Sequence, residues 1–150
     1  MGSMKKMQAL LMDSIFEVFE KMFFVFLEPC TGAMGHDLAV SIRFCGSTNG
    51  RIDAYLSESL AAFMAQNMLG LNPEEVTDNT REDCAREAVN MIAGNFLNKL
   101  DARQVFNLTL PVCEKKPGRF PQDNDAALCL MFDAEERSLG IRLSGEILER

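Results

Sequence analysis

The chain has 150 residues, of which 47% are hydrophobic and 25% charged, and it carries a formal net charge of −7 with an isoelectric point near 4.7. That length suits one domain, and the acidic balance excludes general binding to nucleic acid or to an anionic membrane, both of which need basic surface. The longest apolar run, residues 22–27, is far too short to span a bilayer.

Residues 1–3, Met-Gly-Ser before a second Met, have the look of a cloning scar, which leaves 4–150 as the expected single domain. Residues 5–28 read as a helix, with Phe16, Phe19, Phe23 and Phe26 recurring at three- to four-residue spacing and Glu28-Pro29 closing it. Residues 29–37, with a proline and two glycines, read as a loop that holds the only histidine, His36. Residues 38–45 and 51–56 alternate as strands, joined by the hairpin signal Asn49-Gly50. Ser57 is placed to cap a short helix over 59–69, and Asn72-Pro73-Glu74-Glu75 forms a turn.

Thr80 or its neighbours are expected to cap a second long helix that runs to about Lys99, with Glu82 and Asp83 at its positive end. Residues 105–110 read as a strand, and 111–125 as a polar loop or splayed hairpin tip. This stretch carries Lys115, Lys116 and Arg119, either a solvated cluster or a surface that steers an acidic partner. Residues 126–132 and 139–143 form a final hairpin, and 145–150 a tail. The five cysteines (Cys30, Cys45, Cys84, Cys113 and Cys129) are odd in number and include no Cys-x-x-Cys pair. With no export signal they read as reduced thiols of a cytoplasmic protein.

The two long helices share a pattern: Asp13-x3-Glu17-x2-Glu20-x3-Phe24 in the first, Asp83-x3-Glu87-x2-Asn90-x3-Gly94 in the second. Each precedes a hairpin, which suggests a duplication. In the first copy a carboxylate, Glu20, stands where the second has an amide, and Phe24 stands where the second has Gly94, where it is expected to cover the face that Gly94 leaves open. One active face per chain is therefore expected, on the second helix.

That second helix has an unusual polar stripe. At about 100° per residue, Asp83, Glu87, Asn90 and Gly94 fall within roughly 60° of arc, opposite an apolar face of Ala85, Val89, Ile92, Phe96 and Leu100. Gly94 sits mid-helix, where glycine costs about 1 kcal/mol relative to alanine. Two readings of it stay open: a surface cleared for an approaching molecule, or a close contact with a neighbouring element. Cys84, on the flank of the stripe, is either a reactive thiol or a packing residue. Asp83 and Glu87 are too few oxygen ligands for a hard metal, so no metal site is expected.

Asp83-x3-Glu87-x2-Asn90, continuing into Met91-Ile92-Ala93-Gly94-Asn95 with Pro111 farther on, resembles the CheC/CheX/FliY phosphatases of bacterial chemotaxis. The single intact motif and the short chain are more similar to CheX than to CheC. The resemblance implies hydrolysis of the aspartyl phosphate on a phosphorylated CheY-like response regulator. Glu87 would pair with a lysine of that regulator, and Asn90 would hold the attacking water. Asp83 would support the helix start or the docking edge, and Gly94 would keep the helix surface clear. Pro111 would shape the chain after the preceding strand. Mg2+ is expected on the regulator, with no cofactor in this chain, and a homodimer is implied. The fold expected is α/β with segregated layers: an antiparallel sheet built from helix-plus-hairpin pseudo-repeats, with two long helices packed on one face. A non-catalytic adaptor that binds a response regulator is the alternative.

Overall fold

Apolar side chains at helical spacing drive the first element. Leu11, Ile15, Val18, Phe19 and Phe23 are all buried along α1 (Gly2–Phe23). The structure, a computed structural model, describes residues 2–32, 34–120 and 127–149. Helix α1 ends earlier than residue 28, because Phe24 takes a left-handed conformation at φ 54°. Beyond it the chain is extended. Val25 and Leu27 turn inward while Phe26 is 73% exposed, so Phe26 does not join the core stripe. This segment runs into a short strand, β1 (Glu28–Pro29).

The hairpin β2 (Gly35–Cys45) and β3 (Gly50–Leu56) follows. His36 therefore lies in a strand and not in a loop. It is buried, with its ring 4.8 Å from that of Tyr55. Ser57 caps α2 (Glu58–Leu69): its hydroxyl accepts from the Leu60 N–H at 3.1 Å, and left-handed Gly70 ends the helix. A single turn of 3-10 helix over Pro73–Glu75 leads into α3 (Asp78–Leu100).

After α3 comes a two-residue strand, β4 (Asn107–Leu108), shorter than the strand expected over 105–110. Most of the expected polar loop is instead a strand, β5 (Val112–Arg119), paired along β2. It is exposed on nearly every residue and contains Pro117, which an edge strand tolerates because one side of its backbone meets no partner strand. Residues 121–125 of that expected loop lie outside the described residues. The final hairpin is β6 (Ala127–Ala134) and β7 (Arg137–Ser144). Instead of fraying, residues 146–149 form a 3-10 turn that buries Ile147.

Among the described residues the seven strands make one antiparallel sheet in the order β1-β6-β7-β3-β2-β4, with β5 also on β2. The order expresses the repeat. β7 and β3 meet at the centre, each half contributes a helix and a hairpin, and the short strand after each long helix crosses to the other half's hairpin.

One face of the sheet is apolar. Leu38, Val40 and Ile42 of β2, Ile52 and Ala54 of β3, Phe132 of β6 and Ile141 of β7 are buried against the helices. The Phe16 ring of α1 meets Phe132 edge-on at 5.5 Å. Helices α1, α2 and α3 all join this one core, so the short α2 completes the layer expected of the two long helices. On the opposite face Asp53 is held by Arg51 at 2.8 Å and faces Arg142 at 3.9 Å. There the Phe120 ring lies directly over Gly140.

Candidate active site

Helix α3 carries the site. Its cap is Thr77, whose hydroxyl accepts from the Thr80 N–H at 3.2 Å. The helix therefore starts earlier than a cap at Thr80 implies, and Asp78 rather than Glu82 or Asp83 occupies its first turn. The inward face is largely of small residues, with Ala85, Ala88, Val89 and Ala93 buried beside Ile92 and Phe96. Small side chains let α3 pack tightly on its neighbours, and the packing fixes which face looks out.

Asp83, Glu87 and Asn90 stand exposed on that outward face, and Gly94 is partly exposed beside them. The stripe is thus brought together as its spacing predicts. A Cβ built on Gly94 meets nothing within 4 Å outside its own helix. The close-contact reading of this glycine is thereby removed: no neighbouring element requires it. Asp83 is paired with Arg86, whereas Glu87 and Asn90 make no hydrogen bond or ion pair among the described residues. The stripe therefore offers one uncompensated carboxylate and one free amide on adjacent turns.

The flanking groups are bound into the structure. Cys84 is 5% exposed, and burial pushes its thiol upward, aided by the nearby Asp83 and Glu87 carboxylates. It is a packing residue and not a nucleophile. Cys113, on β5, is pushed up to about 11 by burial and then by Glu82.

The three basic residues do not form one cluster. Lys115 is engaged by Asp78 at 2.6 Å, which also pairs with Arg81. The Lys115 hydrogen bond, then that of Arg81, holds the Asp78 carboxyl below its usual range. Lys116 lines a cleft on the opposite face of the sheet with Arg51, Asp53 and Tyr55. Arg119 pairs with Gly35 at the far end of β5. Pro111 immediately precedes β5.

The matching positions of the first repeat differ from the sequence expectation. Phe24 is 60% exposed beyond the end of α1, so it covers no helix face. What occupies the first copy is an ion pair. Glu17 binds Lys99 at 2.7 Å and Lys21 at 3.5 Å, and its carboxyl is held below the usual range chiefly by the Lys99 hydrogen bond.

Residues 38–133 match the family described as chemotaxis phosphatase CheX. The chain belongs to the CheX family. Its fold agrees. CheX from Vibrio vulnificus superposes with a TM-score of 0.78 at 22% identity, covering 92% of this chain and 95% of that one. A CheC-like superfamily protein from Shewanella sp. PV-4 gives 0.76 at 22% identity, covering 92% and 96%. CheX in a CheX–CheY–BeF3–Mg complex from Borrelia burgdorferi gives 0.65 at 19% identity, covering 91% and 95%. A comparison with curated proteins finds no match.

Beside the polar stripe of α3 lies a feature that single-sequence reasoning missed. Met68 and Leu69, at the end of α2, join Thr80, Asp83, Cys84 and Glu87 around an open cleft of about 400 Å³. Both residues lie on the weakly amphipathic end of a short helix, and only the packing of α2 on α3 places them next to Glu87. Among the described residues no group of three or more His, Cys, Asp or Glu is arranged to hold a metal ion, and no helix is long and apolar enough to cross a membrane.

Proposed function

We propose that this chain hydrolyses the aspartyl phosphate of a CheY-type response regulator. The observation that carries the reading is the bare surface at Gly94 beside two unengaged polar groups. A helix that keeps a glycine no neighbour requires is suited to a partner that closes onto it. Membership of the CheX family and the likeness to CheX in a CheX–CheY complex support the choice of partner.

An acyl phosphate is already reactive toward water, so the work is positioning and charge stabilisation. The Asn90 carbonyl oxygen accepts a hydrogen bond from water and holds it in line with phosphorus. The amide does not titrate near neutrality, so no base of matched pKa is required. Glu87 takes a lysine of the regulator's active site as its ion-pair partner and fixes the docking register. Mg2+ bound on the regulator would supply charge neutralisation at the phosphoryl group. Asp83, paired with Arg86, supports the docking edge.

This reading places the protein in the cytoplasm with the regulators it acts on. The homodimer implied by the resemblance is assigned to the surface where Val105, Leu110 and Val112 stand exposed near β4 and β5. Sedimentation of Leu110→Lys beside the unaltered protein checks that assignment, with a shift to monomer expected.

The division of roles is tested by steady-state kinetics on the phosphorylated regulator. Asn90→Ala should lower kcat by about a hundredfold with little change in KM. Glu87→Gln should raise KM roughly tenfold through loss of a charge-assisted contact. Binding by the wild-type chain without faster phosphate loss would instead indicate an adaptor.

A further inference from the structure

Glu87 belongs to two features at once: the polar stripe of α3 and the cleft toward α2. The floor of that cleft is apolar. Gly70 turns left-handed immediately after Met68 and Leu69 and ends the helix there, leaving them 37% and 52% exposed as neighbours. Cys84 forms the base and is almost fully buried. The rim is polar and acidic, with Thr80, Asp83 and Glu87. Of the two acids, Asp83 is neutralised by Arg86 and Glu87 is not. An apolar socket with one uncompensated carboxylate on its edge is complementary to an apolar side chain that sits next to a cation. The flexible Met68 thioether can reshape around such a group.

We propose that this cleft is a specificity socket for the response regulator, receiving an apolar side chain that neighbours the cationic residue paired with Glu87. The proposal rests on the docking reading given above. The socket is continuous with that interface through Glu87 and gives it an anchor independent of the phosphoryl group. Charge brings the partner to the stripe, and burial of the apolar side chain distinguishes regulators that carry one there from those that do not.

The test measures Kd for a beryllofluoride-activated CheY-type regulator at low and high salt, together with kcat on the phosphorylated form. The proteins compared are wild type, Met68→Ser/Leu69→Ser and Leu69→Met. Both positions are partly exposed, and melting curves confirm that the variants fold. The double variant is expected to raise Kd about tenfold, by the same factor at both salt concentrations because apolar contact is not screened. Its kcat at saturation should be unchanged, and Leu69→Met should bind as wild type. An unchanged Kd, or an effect that vanishes at high salt, overturns the socket. If the wild type binds without hydrolysing, the phosphatase reading fails while the Kd comparison still decides the socket. If no regulator of the source organism binds the wild type, both fall.

Discussion

Lys99 Nζ lies 2.7 Å from Glu17 Oε2, so the acid that matches Glu87 in the first repeat is tied to the last turn of α3. The duplicated pattern has diverged into two uses: in the first half the carboxylate fastens one helix to the other, and in the second its counterpart is left free. The Glu17 carboxyl is held below its ordinary value of 4.5, first by this hydrogen bond. A lowered folded-state pKa stabilises the fold fully above the unfolded value, and the effect disappears as pH falls through the folded value. Glu17→Gln should therefore melt slightly below wild type at neutral pH, with the gap closing as pH falls below about 4.5. Phosphatase activity should be unchanged. Thermal melts across pH 3–7 check this, and a gap that stays constant over that range contradicts it.

Gly94→Ala separates stability from function. The added methyl meets nothing in the isolated chain, and alanine favours a helix interior by about 1 kcal/mol. The variant should melt higher than wild type and yet bind the activated regulator more weakly. A variant that is more stable and equally tight would show that no partner approaches this part of α3.

Gly140→Ala should have the opposite effect on stability. Its Cβ would fall 2.3 Å from the buried Phe120 ring, and relieving that overlap costs about 1–3 kcal/mol. Denaturant titration reads the loss. Phe120→Ala in the same background should recover part of it by removing the obstructing ring.

Thiol labelling checks the burial of the cysteines. Cys45 is exposed and should react first with an alkylating reagent. Cys113, pushed up to about 11, stays almost wholly protonated at pH 8 and should react slowly. Cys84 is likewise raised and buried, and should be protected as well.

The stripe on α3 was legible in the sequence because helical periodicity alone sets which residues share a face, and Asp83, Glu87, Asn90 and Gly94 obey it. The strands of the two hairpins were legible from alternation, and Ser57 from its cap chemistry. Other features depend on contacts that one sequence does not contain. β5 has no alternation and carries Pro117 and Gly118, and it is a strand because β2 offers it an edge. Phe26 fits a helical stripe, but Phe24 breaks the helix before it, and the uniformly apolar run 24–27 gives no sign of the alternating burial of Val25 and Leu27 that the extended chain adopts. His36 sits beside Gly35 as a loop residue would, yet β5 extends the pairing of β2 past it. Lys115, Lys116 and Arg119 are close in sequence, but strand alternation sends Lys116 to the face opposite Lys115, and the extended chain carries Arg119 to the far end of β5. The meeting of Met68 and Leu69 with Glu87 is set entirely by how α2 packs on α3.

Hydrolysis through water held by Asn90 is tested by the lifetime of the aspartyl phosphate on a CheY-type regulator, followed alone, with the wild-type chain, and with Asn90→Ala. The predicted result is faster loss of phosphate with the wild type and a return to the intrinsic rate with Asn90→Ala while binding persists. Equal decay with wild type and Asn90→Ala, under conditions where both bind, would contradict it.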